Sequence, residues 1–149
     1  MIETTLAADV TAAQPVPAVS ATTTLRDAAV ALVAGGIGAV AVLGEDGRLQ
    51  GLLSGDDIVG FLVAGEDLEE TSAGDVVVGP VDLLSPEDTR FDALALMVLR
   101  GVTHLPVLDG DRLVAILSAR QLLHAAYHEL DRGYMRVQTE VFGATVGEG

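Results

Sequence analysis

Gly51-Leu-Leu-Ser54-Gly-Asp-Asp57-Ile58 reads as the end of a buried strand that runs directly into a helix. Leu49, Leu52 and Leu53 make the apolar strand. Ser54 stands where a helix N-cap is expected, and Asp57 follows three residues later, at the spacing of a capping box. The same pattern returns as Ala115-Ile-Leu-Ser118-Ala-Arg-Gln121-Leu122, with Gln121 in the place of Asp57.

Working outward from these two stretches, the rest of the chain falls into register. Ser20 corresponds to Ser85, Asp27 to Asp92, Gly36 to Gly101 and Val42 to Val107, each 65 residues apart. Thr5-Leu-Ala-Ala-Asp9-Val10 returns as Thr71-Ser-Ala-Gly-Asp75-Val76. After the turns Gly44-Glu-Asp-Gly47 and Asp109-Gly-Asp111 the offset falls to 64, as Arg48 with Arg112 and Ser54 with Ser118 show. The chain is therefore two copies of one unit and a tail.

Each copy predicts the same elements. A short turn or helix (5–10; 71–77) precedes an extended segment (16–19; 81–84). Thr24 with Asp27, and Thr89 with Asp92, then open a helix that ends at Gly35-Gly36 or at Gly101. A hairpin follows, with Glu45-Asp46-Gly47 or Asp109-Gly110 between apolar runs. A last helix closes the unit, near 55–65 and 119–131. The expected organisation is a first unit over 4–65, an acidic exposed linker over 66–70, a second unit over 71–130 and a tail over 131–149. The tail is expected to add an edge strand or to be disordered.

Composition narrows the function. The net charge is −14 over 149 residues, and all 8 basic residues are arginines. Such a chain is a poor partner for nucleic acid or an anionic membrane, because phosphate contacts dominate that affinity. With no cysteine, thiolate catalysis, cysteine-ligated zinc and disulfides are excluded. No signal-peptide pattern and no membrane-length apolar run is present, so a soluble cytoplasmic protein is expected. The helices at 25–34, 58–64 and 91–99 are apolar around most of their circumference. Burial on more than one side follows, against the other repeat and then against a second chain as a homodimer.

Thr23-Thr-Leu-Arg-Asp-Ala28, Gly36-Ile-Gly-Ala-Val-Ala-Val42, Gly51 to Ile58 and Gly101-Val-Thr-His-Leu-Pro-Val-Leu-Asp109 together resemble a tandem pair of cystathionine-β-synthase (CBS) domains, the Bateman module. The resemblance runs from about residue 4 to 128. It implies a mixed α/β (α+β) fold in which two β-α-β-β-α units pack sheet to sheet about a pseudo-twofold axis. It also implies two clefts that take adenosine-containing ligands such as AMP, ATP or S-adenosylmethionine, and a regulatory role rather than an enzymatic one.

On that resemblance, Ser54 and Asp57 are the ribose contacts. A carboxylate can accept from both ribose hydroxyls, and its charge strengthens each bond. The same two residues also make a capping box, and this site by itself does not separate the readings. Ser118 and Gln121 keep the cap without the carboxylate, so a ligand is expected in one cleft, the one beside Ser54 and Asp57, with the second cleft compromised or altered. Asp56 stands where nucleotide-binding relatives often carry a basic residue; Arg120 holds the matching place in the second copy. His104 is placed to meet a phosphate or ribose, or to bond to backbone. Val16, Ala18, Ala39 and Val40 are candidates for an adenine wall, though core is the weightier reading of each. No resident cofactor, metal centre or catalytic grouping is expected. His124 and His128, at i, i+4, lack an evident third ligand. The competing reading is a ligand-free scaffold for dimerisation or for docking a protein partner.

Overall fold

The computed structural model describes residues 3–77 and 81–132. Along the first copy run α1 (Ala7–Ala12), β1 (Ala18–Ser20), α2 (Leu25–Gly35), β2 (Ala39–Leu43), β3 (Leu49–Ser54) and α3 (Gly55–Val63). Along the second run α4 (Ala73–Val76), α5 (Arg90–Arg100), β4 (His104–Asp109) and β5 (Arg112–Ser118). A closing helix, α6, occupies 119–132. The tail beyond 132, where a strand or disorder was expected, lies outside the described residues.

The repeat seen in sequence is reproduced in the strand pairing. β1 pairs in parallel with β2, which pairs antiparallel with β3; Val19 faces Val42. In the second copy β4 and β5 pair antiparallel, and Leu84 bridges Val107 in parallel, each residue 65 beyond its counterpart. Both hairpins carry a register irregularity at equivalent places, Val42/Leu43 and Val107/Leu108.

Local chemistry fixes the helix ends as expected. The Thr24 hydroxyl accepts from the Asp27 N–H at 3.1 Å, and Thr89 with Asp92 completes a reciprocal capping box. The caps Gly36 and Gly101 take φ of 71° and 66°, a left-handed conformation that glycine adopts without a Cβ clash.

Two cores lie under the helices and a third lies between the sheets. Ala39 and Ala41 of β2 meet Ile116 of β5 in the middle, with Val16, Ile37, Leu43, Leu49, Leu52 and Leu113 around them. The units thus meet sheet to sheet. The other two cores exchange partners across the repeat. Leu6, with Val10 and Ala13, packs into the second unit's core beside Leu84, Met97, Leu105 and Leu117. Ala73, with Leu68, Val76 and Val77, packs into the first unit's core beside Leu25, Val40 and Leu53. Backbone bonds hold the exchange: Leu6 N–H to Asp88 O at 2.8 Å, and Ala73 N–H to Thr23 O at 2.7 Å.

That exchange depends on close approach at Gly74. A Cβ there would stand 2.6 Å from the Ala21 Cβ and 2.9 Å from the Ala21 carbonyl oxygen, which also accepts from the Gly74 N–H at 2.8 Å. Gly74→Ala should therefore destabilise the protein by about 1–3 kcal/mol, the range for overpacking. A urea midpoint lowered at constant slope would register it.

The other repeat does not cover the outer helix faces: Val33 of α2, Val63 of α3 and Val98 of α5 are 78%, 84% and 83% exposed in the single chain, which leaves the second half of the expectation, cover by another chain, for these faces. The reason is geometric: with the sheets facing inward, each helix layer faces away from the other unit.

Candidate functional site

The two strand-to-helix junctions are both tied to their own helices. At the first, the Ser54 hydroxyl accepts from the Asp57 N–H at 3.2 Å, and Asp57 Oδ2 accepts from the Ser54 N–H at 2.9 Å. At the second, the Ser118 hydroxyl accepts from the Gln121 N–H, and Gln121 Oε1 accepts from the Ser118 N–H, both at 3.0 Å. Capping is thus kept in both copies, with an amide replacing a carboxylate.

Beside the second junction is a cavity of about 500 Å3. Ser118, Arg120, Gln121, His124 and Ala125 of the β5–α6 junction form one side, with Leu117. Gly36 and Ile37 of the first unit, with Asp9, Ala12 and Ala13 of the leading segment, form the other. The chemistry is mixed: an exposed guanidinium and an imidazole at the rim, a nearly buried serine, and small apolar side chains that leave backbone accessible. By the sequence repeat, Ala12 and Ala13 correspond to residues 78 and 79, which lie outside the described residues.

The other residues singled out in the sequence are distributed differently. His104 is half-buried and bridges the units: its Nε2 is 2.6 Å from the Ile37 carbonyl oxygen, and its Nδ1 is 2.9 Å from the Thr103 hydroxyl. It thus supports the cavity wall from behind Ile37. Ala39 and Val40 are fully buried, Ala39 between the sheets and Val40 under α2. Val16 is half-buried against the inter-sheet core, and Ala18 is exposed on β1. Asp56 and Asp57 are both exposed.

Asp9 and His124 belong to the cavity wall but were not among the site candidates. Asp9 is held by Arg90, which is 3% exposed, through Nε–Oδ2 at 2.8 Å and Nη2–Oδ1 at 2.9 Å. Arg90 also reaches Glu129 of α6 at 2.9 Å. The bond from Asp9 raises the Arg90 pKa above its ordinary value, against the opposing effect of burial. One signal was available in the sequence. Arg90 aligns with Leu25, so a charge stands where the other copy has a core leucine.

The CBS domain family matches residues 7–64 and 73–128, which is most of the chain and both copies. The chain belongs to the CBS domain family. Among curated relatives, this CBS pair is 29% identical over 110 residues to the arabinose 5-phosphate isomerase KdsD of Yersinia pestis. The match covers 74% of this chain but 34% of that protein, so the CBS pair spans about a third of the relative's length. Among solved structures, a CBS-domain-containing protein from Agrobacterium tumefaciens superposes with a TM-score of 0.74 at 24% identity, covering 84% of this chain and 95% of that one. A CBS domain protein from Pyrobaculum aerophilum, solved in complex with AMP, superposes with a TM-score of 0.67 at 23% identity, covering 72% and 83%. Among the described residues of the CBS pair, no helix is long and apolar enough to cross a membrane.

Proposed function

We propose that this CBS pair is a regulatory, non-enzymatic module that takes an adenosine-containing ligand of the AMP, ATP or S-adenosylmethionine type in an inter-unit cleft. The observation that carries this reading is the cavity at the start of α6. Its volume, about 500 Å3, falls within the usual range for small-molecule sites. Arg120 suits a phosphate, since a guanidinium presents a planar fork of donors. Gln121 uses its carbonyl on the cap, and its amide donors remain for a hydroxyl or a ring nitrogen. Small residues at Ala12, Ala13 and Gly36 leave room for a purine held by backbone. The AMP found in the Pyrobaculum protein is of the chemistry these groups suit.

The cleft beside Ser54 has the opposite chemistry. Asp57 uses Oδ2 on its own cap, so Oδ1 is the oxygen offered to ribose hydroxyls. Asp56 beside it opposes phosphate, with two unit charges about 4 Å apart repelling by roughly 4 kcal/mol at an effective dielectric of 20. A nucleoside or sulfonium ligand suits that cleft better than a nucleotide. The exposed helix faces suit a homodimer.

Thermal melts test this. A ligand that binds only the folded state adds about 2.7 kcal/mol at a hundred times its dissociation constant. AMP, ADP or ATP should raise the melting temperature of the CBS pair, and Arg120→Ala should remove that rise while Asp57→Ala does not. Adenosine or S-adenosylmethionine acting through the first cleft would give the reverse pattern. Flat melts for the whole set would favour the second reading, a ligand-free scaffold for dimerisation or partner docking. That reading draws on the closed capping boxes and on the apolar faces of Val33, Val63 and Val98.

A further inference from the structure

We infer that His124 and His128 form a chelating site for a first-row divalent transition ion on the surface of α6. The two imidazoles stand one helical turn apart, and both are exposed. Their Nε2 atoms face each other at 3.1 Å, with ring centroids 4.3 Å apart and planes at 66°. In a metal-free protein this is a hydrogen bond, which needs one ring to carry its proton on Nε2 and the other on Nδ1. With both protons on Nδ1, both Nε2 lone pairs are free to bind one ion.

The nitrogen spacing has the dimensions of a metal site. Metal–imidazole bonds are about 2.0–2.1 Å long. Two such bonds to nitrogens 3.1 Å apart enclose roughly 100°, between the square-planar and tetrahedral angles. The spacing of the two nitrogens therefore suits one shared ion. Imidazole suits copper, nickel and zinc, and affinity for a nitrogen site rises to copper and falls again at zinc. Among the described residues, no group of three or more His, Asp or Glu side chains gathers as a metal site. Within the described residues the two imidazoles are the ligands, and water completes the shell. His124 also lines the cavity beside Ser118, which puts the ion at the cavity's edge.

The test uses the full chain and the metals alone. Titration with Cu2+ should show one equivalent taken up per chain, with Ni2+ and Zn2+ binding more weakly at the same place. Electron paramagnetic resonance of the copper form should show two imidazole nitrogens. His124→Ala and His128→Ala should each lose the uptake and its accompanying rise in melting temperature. Both side chains are exposed, so the variants should fold, and far-ultraviolet circular dichroism checks this. Three results would overturn the site: no uptake by the unaltered chain, uptake that persists in the double variant, or a copper spectrum with fewer than two imidazole nitrogens. Adenosine ligands are left out of the titration, so the outcome does not depend on the function proposed above.

Discussion

Arg90→Ala should lower the unfolding free energy by about 3–5 kcal/mol, the range for removing one partner of a buried ion pair. The guanidinium is 3% exposed and bonded bidentately to Asp9 of α1, whose side chain is 10% exposed, and to Glu129 of α6. Deleting it leaves the Asp9 carboxylate nearly buried beside a void. The exposed pair Arg26–Glu69 provides the contrast, at 3.3 Å with side chains 61% and 71% exposed. Solvent screens that pair, so Arg26→Ala should cost about 0–1 kcal/mol. Asp9→Asn should fall between the two, since the amide oxygen can still accept and Arg90 keeps Glu129. Because Leu25 fills the equivalent place in the first copy, the double variant Asp9→Leu/Arg90→Leu should regain much of the loss. Urea unfolding of the set, fitted with a common slope, gives the order. Equal losses for Arg90→Ala and Arg26→Ala would show that the buried clamp does no more than a surface pair. The pH dependence follows from the sign of the shift. A basic group whose folded pKa is raised contributes fully below its ordinary pKa, and loses that contribution only as pH climbs through the raised value. On the arginine side, then, the clamp stays charged through the neutral range.

The repeat was legible because its signals are local. Caps, left-handed glycines and Asp-Gly hairpin turns act within a few residues, and they reappear in the structure at the positions the sequence marks. The Arg90 clamp was not legible, because Asp9 lies 81 residues from Arg90. An arginine at the start of a helix also reads as a solvated charge. The exchange of leading segments was hidden for a similar reason: two copies with one apolar pattern do not say which core each segment enters. At the junctions the capping chemistry was readable from Ser54, Asp57, Ser118 and Gln121. The cavity beside Ser118 depends on Asp9, Ala12 and Ala13 crossing to the second unit, and no periodicity within either copy encodes that crossing. His104 illustrates the limit well. Its position at the start of β4 was clear, but its bond to the Ile37 carbonyl spans the two units and needed the fold.

Leu6→Ala should cost about 2–5 kcal/mol, the range for truncating a fully buried leucine. Leu6 stands just ahead of α1, outside any strand. Here it has no exposure, and it packs against the second unit's core with Leu84, Met97, Leu105 and Leu117. The backbone around it is committed to the same unit. Leu6 N–H donates to Asp88 O at 2.8 Å, and Arg90 N–H donates to Thr4 O at 2.9 Å. The lost methyl groups would leave a cavity that α1 could close only by breaking those bonds. Val98, 83% exposed on α5, is the control, and Val98→Ala should stay within about 0.5 kcal/mol. Location matters as much as size. Hydrogen exchange in Leu6→Ala should quicken first at the amides of β4 and β5, with β2 and β3 affected only at the level of global unfolding. Were protection instead lost first in β2 and β3, the leading segment would belong to the first unit's core, and the wall that Asp9, Ala12 and Ala13 lend to the cavity would go with it.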